Sequence, residues 1–319
     1  HQVRRMINHP SIVLWCGNNE NESFVDGHAK RDPEVADRLW EAYNKLTYET
    51  QEPAVREEDP GRPWWPSSPS GMEHGQGQFF GSESRGDMHD WTVWHRGADF
   101  DHYLGTRPRF ASEFGFQSFP STETLRTVLR PEDMNVTSPA MEHHQRHPAG
   151  NRIVTDFLTR RFRFPMRFDD FCYLSQVNHG LAMKTAIEHW RRIKPRCMGT
   201  LYWQLNDVWP VASWASLDWA ERWKALHYMA RRFYAPLLGS VSDDDRGLRL
   251  WATSDATDSL DGRWRAEAWT FAGRRVWRRE GRFRLRDGAS RPVARLPRKT
   301  ILDRGGGAEN VFLVVEVRS

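Results

Sequence analysis

The sequence predicts an α/β chain, with parallel β/α units over residues 1–238 and a β-sandwich over 239–319. Three observations carry this. Apolar strand-like runs alternate with longer helical stretches as far as about residue 234, the spacing of parallel β/α units. Two of those runs lead directly into glutamates, in Asn18-Asn19-Glu20 and in Ser112-Glu113-Phe114-Gly115. A β/α barrel carries its chemical groups at the C-terminal ends of its strands, where these glutamates would sit. Beyond residue 239 the pattern becomes period-two alternation, cut by Gly and Asp turns.

The elements follow in order. The chain opens at His1, inside what reads as a helix tail, and is expected to be the C-terminal part of a larger protein. Ile12-Val13-Leu14-Trp15-Cys16 is continuously apolar and predicts a buried strand. Residues 33–50 predict an amphipathic helix, with Asp32 as its N-cap and Pro33 at its first position. Residues 52–87 are rich in Pro, Gly and Ser and predict a long loop with one short strand near 62–65; loops of that length are usually functional. Strands are predicted over 88–94, 109–113 and 199–204, with a short helix over 99–105. Helices are predicted over 151–163, 169–193 and 219–234; the second spaces Phe171, Leu174, Val177, Leu181, Ala182, Ile187 and Trp190 along its length. In the sandwich, 248–252, 264–271, 275–279 and 311–317 alternate in polarity, and the domain reads as incomplete.

Composition narrows the function. A net charge of +4 from 46 basic and 42 acidic side chains is a small excess. The arginines of 263–298 read as the solvated face of alternating strands, so nucleic acid is not expected as a partner. No apolar run approaches about 18 residues, so neither is a membrane. Cys16, Cys172 and Cys197 form no metal-binding spacing and read as buried thiols; no metal and no cofactor is expected. Tryptophan is abundant, 16 in 319 residues, and its flat apolar face with one N–H donor suits a sugar ring. Two glutamates at the ends of two strands suit a reaction that needs two carboxylates, as glycoside hydrolysis does.

The residues also carry a specific resemblance. His9-Pro-Ser-Ile-Val-Leu-Trp-Cys-Gly-Asn-Asn-Glu-Asn-Glu resembles the acid/base signature of family 2 glycoside hydrolases in its β-mannosidase form. Arg107-Pro-Arg-Phe-Ala-Ser-Glu-Phe-Gly-Phe-Gln-Ser resembles the nucleophile strand of that family. Trp91-Thr-Val-Trp-His and Gly199-Thr-Leu-Tyr-Trp-Gln-Leu-Asn-Asp-Val-Trp-Pro resemble the strand ends that line its sugar pocket. The four motifs occur in the family's order. The resemblance implies a partial (β/α)8 TIM barrel, strands 4 to 8, followed by an immunoglobulin-like β-sandwich. Five strands of a closed barrel leave open edges, so these residues expressed alone are expected to aggregate and to show negligible hydrolase activity.

The resemblance further implies a retaining exo-β-mannosidase whose partner is a β-mannoside oligosaccharide or glycan. The alternatives are another family 2 exo-glycosidase, for glucuronide, galactoside or glucosaminide, and a non-catalytic piece. Glu113 would be the nucleophile and Glu20 the acid/base, with Glu22 as the rival acid. Asn19 would bond the sugar's 2-hydroxyl, Trp94 and Trp203 would wall the pocket, and His95 would bond a hydroxyl. Trp64 and Trp65 would rim the leaving-group side.

Overall fold

A computed structural model describes residues 1–71, 82–286 and 288–319. They form two units: His1–Arg96 with Thr106–Gly115 and Gly199–Trp203, and Gly97–Gly105 with Phe116–Met198 and Gln204–Ser319.

The first unit is built on short parallel pairs. Strand β1 (Trp15–Cys16) pairs in parallel with β2 (Trp64–Trp65), and an isolated parallel bridge from Asn19 to Ser68 continues the ladder. Strand β3 (Met88–Asp90) pairs in parallel with β4 (Ala111–Phe114). On the far side of β4, Ala111 bridges in parallel to Thr200, and the Trp203 N–H donates to the Phe114 carbonyl at 2.9 Å. Parallel neighbours need a crossover connection. Between β1 and β2 it is helical: Asn21–Arg31, then Ala36–Asn44, a π-helical stretch Lys45–Gln51, and Glu52–Glu58. The predicted Asp32 cap is present, its carboxylate accepting from the Glu34 N–H at 3.2 Å, with Pro33 opening the turn. Gly17 lets β1 approach β2, since a Cβ there would lie 2.6 Å from the Pro66 carbonyl oxygen.

Several predicted elements differ. The run 12–16 is not a buried strand: only Trp15 and Cys16 pair, while Val13 and Leu14 are 74% and 41% exposed. Among the described residues β1 has a ladder neighbour on one side alone. The preceding backbone is held instead by Arg62, which donates to the carbonyls of Ile12 at 2.6 Å and Ile7 at 2.9 Å. The predicted loop 52–87 begins as the helix Glu52–Glu58, because Pro53 falls in the first turn, where its missing N–H costs nothing. Residues 72–81 of that loop lie outside the described residues. The strand predicted over 88–94 stops at Asp90, whose carboxylate accepts from the Thr92 N–H at 3.1 Å and starts the helix Thr92–Arg96. The strand predicted over 199–204 is reduced to the single bridge at Thr200. Cys16 is exposed, unlike Cys172 and Cys197.

The second unit holds the helices Gly150–Thr159, Phe168–Arg192 and Ala225–Phe233. The last begins later than predicted, because the Asp218 carboxylate accepts from the N–H groups of Ala220 and Arg222 and turns the chain first. An aromatic cluster fills part of the core: Phe157 stacks on Phe100 at 5.7 Å and meets Phe116 edge-on at 5.0 Å. Lys224 is 1% exposed and donates to the Ser118 carbonyl at 3.2 Å. Burial pushes its amine down to about 8 against the attraction of Asp207 and Asp218.

The sandwich contributes six strands to this unit: β5 (Leu237–Asp244), β6 (Gly247–Ser254), β7 (Leu260–Thr270), β8 (Arg275–Leu285), β9 (Ser290–Arg295) and β10 (Val311–Arg318). They form two antiparallel sheets, β5-β6-β9 and β10-β7-β8. Leu250, Ala252, Trp264, Ala266, Phe283 and Leu285 fill the space between, the inward half of each alternating pattern. The helix Arg298–Gly305 between β9 and β10 was not foreseen; Ile301 anchors it in that core. Arg191 ties helix Phe168–Arg192 to the sandwich, donating to Asp255 at 2.8 Å. A Cβ at Gly281 would lie 2.8 Å from three atoms of the Trp264 indole. Gly281→Ala should therefore cost about 1–3 kcal/mol through overpacking. Chemical denaturation checks this; an unchanged midpoint would mean that the sheet yields at no cost. No helix among the described residues is long and apolar enough to cross a membrane.

Candidate active site

Four positions along the first unit converge. Glu20 follows β1, and its N–H donates to the Ser68 carbonyl at 2.8 Å. Its backbone lies in the left-handed region, with φ of 58°, where a side chain other than glycine is strained. Such strain persists where surrounding structure imposes it, commonly at functional sites. Glu20 also starts the helix Asn21–Arg31, a turn the sequence reading missed.

His89 and Glu113 come from neighbouring strands. The register between β3 and β4 shifts after Met88, which pairs with Ala111, so that His89 pairs with Glu113. The shift leaves Ser112 as an extra residue in β4 and puts His89 directly beside Glu113. Bulges next to active sites re-aim side chains in this way.

The His89 side chain is 0% exposed, while Glu20 and Glu113 are 21% and 13% exposed. His89 Nδ1 lies 2.8 Å from Glu20 Oε1 and 3.4 Å from Glu113 Oε2. The nearest such atoms of the three residues all lie within 4.8 Å of one another. Among the described residues, this is the set with donor atoms close enough to share one cation. Trp91, just past β3, donates its indole N–H to Glu113 Oε2 at 3.1 Å.

Burial pushes the Glu113 carboxyl above the ordinary glutamate range. His89 and the Trp91 N–H pull it back, while Glu20 and Asp87 add to the rise. Behind His89 lies Asp87, 7% exposed, which accepts from Trp65 Nε1 at 3.0 Å, the Ser70 N–H at 2.9 Å, Ser68 Oγ at 2.7 Å and Ser112 Oγ at 2.5 Å. Ser68 Oγ also lies 3.0 Å from His89 Nε2.

The other expected residues are placed as follows. Asn19 is exposed at the Ser68 bridge, one residue before Glu20. Trp203 follows the Thr200 bridge beside the end of β4 and is 43% exposed. Trp94 is 1% exposed, so its indole lies in the core and offers no open face to a sugar ring, contrary to the wall expected. His95 is exposed and packs against Trp91 at 5.3 Å. Trp64 is buried, and the half-buried Trp65 donates its indole N–H to Asp87. Glu22 is 4% exposed, and its charge is felt by the phenols of Tyr43 and Tyr48, which burial and that charge push up.

The sequence reading gave no role to Asp87, His89, Ser68 or Ser112, and held Trp91 only as the start of the motif Trp91-Thr-Val-Trp-His. One signal existed: Asp87-Met-His-Asp90 puts three polar residues into four successive buried positions, the last three of them strand β3.

Comparison with known proteins bears on this geometry. Residues 246–319 match the family described as a Mannosidase Ig/CBM-like domain. β-Mannosidase of Rattus norvegicus is 35% identical over 274 residues, 80% of this chain and 31% of its own length. Beta-mannosidase A of Aspergillus oryzae is 29% identical over 302 residues, 82% of this chain and 33% of its own length. Among solved structures, β-D-mannosidase from Dictyoglomus thermophilum is 31% identical, with a TM-score of 0.82 over 99% of this chain and 37% of its own. The exo-chitosanase of Amycolatopsis orientalis, 15% identical with a TM-score of 0.71 over 100% of this chain and 36% of its own, shares the fold. The chain spans about a third of the length of the curated relatives it matches. Along most of its length the chain is homologous to β-mannosidases of glycoside hydrolase family 2, matching about a third of each.

Proposed function

We propose that this chain carries the two reacting carboxylates of a retaining exo-β-mannosidase, with Glu113 as nucleophile and Glu20 as acid/base. The observation that carries the reading is the convergence of the two carboxylates on one histidine nitrogen, with oxygens within 4.8 Å. Retaining enzymes hold their carboxyl groups about 5–5.5 Å apart, and inverting ones about 6.5–9.5 Å to admit a water. In the first step Glu113 Oε attacks the anomeric carbon, and the bond to the leaving oxygen breaks as Glu20 gives that oxygen a proton. In the second step Glu20 takes a proton from water, whose oxygen displaces Glu113 from the sugar.

The substrate proposed is a terminal non-reducing β-mannose, the sugar for which the relatives are named. Asn19 would bond its 2-hydroxyl, Trp203 would offer an open aromatic face and His95 a polar edge. In architecture, β1 to β4 and the strand-like segment at Thr200 would be strands 4 to 8 of a (β/α)8 barrel. Residues 1–238 would then form the barrel part and 239–319 the sandwich domain. The parallel pairing and the likeness to the Dictyoglomus enzyme support this.

A panel of nitrophenyl glycosides on the full-length protein tests the substrate. The mannoside should be turned over well above the glucuronide, galactoside and glucosaminide; a preference for any of those three would replace the reading. The pH profile tests the nucleophile. Glu113 must be ionised to attack, and burial raises its carboxyl. The acid limb of kcat/KM should therefore lie above the ordinary glutamate range, with activity lost as pH falls through it. An acid limb at or below an ordinary glutamate would contradict the assignment.

A further inference from the structure

The protons around Asp87 can be counted. Its carboxylate accepts from two groups that only donate, the Trp65 indole and the Ser70 backbone N–H, and from two hydroxyls, Ser68 and Ser112. A hydroxyl has one proton. The proton of Ser68 is committed to Asp87, so its oxygen can only accept from His89 Nε2, 3.0 Å away. The hydrogen at that contact must therefore be on Nε2. On the other side of the ring, Nδ1 and Glu20 Oε1 stand 2.8 Å apart, which is a hydrogen bond only if one of the two carries a proton.

We propose that Asp87 and Ser68 fix His89 with a hydrogen on Nε2, so that its Nδ1 shares a single proton with Glu20 and holds it for the leaving group. The inference rests on Glu20 being the acid/base, and it makes His89 a positioning residue. In the resting site the proton lies on Glu20, accepted by Nδ1, or on Nδ1, accepted by Glu20. Both forms hold the same number of protons and differ by a transfer across 2.8 Å.

When the leaving oxygen takes that proton, Glu113 has become an ester and the negative charge has moved to Glu20. Glu20 then faces the bare Nδ1 lone pair, an arrangement relieved when water surrenders its proton. The proton from water refills the shared position, so the cycle closes with no other donor. The Nδ1 contacts of 2.8 Å to Glu20 and 3.4 Å to Glu113 place His89 between the two groups that exchange the charge.

The test uses Ser68→Ala and Ser68→Thr in the full-length protein, since Ser68 makes no side-chain hydrogen bond to either glutamate. Without the hydroxyl, His89 is free to hold its hydrogen on Nδ1 and donate it to an ionised Glu20. For aryl β-mannosides with poor leaving groups, kcat/KM in Ser68→Ala should fall about 100-fold, the lower end of what an acid group contributes. A dinitrophenyl mannoside, which needs little protonation, should lose less than about tenfold. Ser68→Thr should restore the poor substrates. An equal loss on all substrates, or no rescue by Thr, would overturn the proposal. Nitrogen-15 spectra of the His89 ring give a readout independent of turnover: the hydrogen should sit on Nε2 in the unmodified protein and be released from that position in Ser68→Ala. A neutral ring with its hydrogen on Nδ1 in the unmodified protein would overturn it directly. If the unmodified protein hydrolyses none of the mannosides, the substrate reading fails, and the spectra still decide the position of the proton.

Discussion

Glu113→Ala should abolish turnover of every β-mannoside, by a factor on the order of 10⁶, the scale on which loss of a covalent nucleophile acts elsewhere. Among the described residues, Asp87 is enclosed by its four donors and Glu22 is buried toward Tyr43 and Tyr48, so neither replaces it. Glu20→Ala should behave differently. Its first step should survive on substrates with good leaving groups, which need little protonation, while poor ones lose about 10²–10⁴-fold. Added azide, which needs no base, should then release a β-mannosyl azide from Glu20→Ala. Equal losses on all substrates with no azide product would remove Glu20 from the acid role.

Phe157→Ala should give the largest loss of stability. The ring is 1% exposed, stacks on Phe100, meets Phe116 edge-on and carries the Arg160 guanidinium 4.1 Å from its centre. Truncation removes these contacts together and leaves a cavity that the flanking rings cannot close, at about 3–5 kcal/mol. Domain stability is only about 5–15 kcal/mol, so the transition should move far down in denaturant. A shift below about 1 kcal/mol would mean that the cluster collapses into the gap.

Local signals in the sequence were reliable where a single segment determines its own structure. The helix over 169–193 appears as Phe168–Arg192, and the Asp32-Pro33 cap forms as its chemistry requires. The alternation of 248–252 and 264–271 becomes β6 and β7 because half of each strand faces the opposite sheet. Strands were less legible wherever pairing decides them. The apolar run 12–16 looked like a buried strand, yet only two residues find a partner, and the end of β3 at Asp90 depends on one side-chain cap.

The site was legible as two glutamates and not as a network. Glu20 and Glu113 each sit in a motif that can be read along the chain. The role of His89 depends on a register shift opposite Ser112 and on Ser68, which lies 21 residues before it in the chain. His95 entered through the resemblance of Trp91-Thr-Val-Trp-His to a pocket-lining strand end, but the strand stops at Asp90 and His95 is exposed. No spacing rule reaches across such a fold; the buried Asp87-Met-His-Asp90 segment was the nearest clue.

Covalent capture of the nucleophile tests the central claim most directly. The full-length protein, incubated with a 2-deoxy-2-fluoro-β-mannosyl fluoride, should lose activity as a fluorosugar becomes attached, because the 2-fluorine slows both steps while the good fluoride leaving group speeds only the first. Peptide mass spectrometry should place that sugar on Glu113. Attachment to any other residue, or turnover that gives α-mannose as the first product without a trapped ester, would contradict the account.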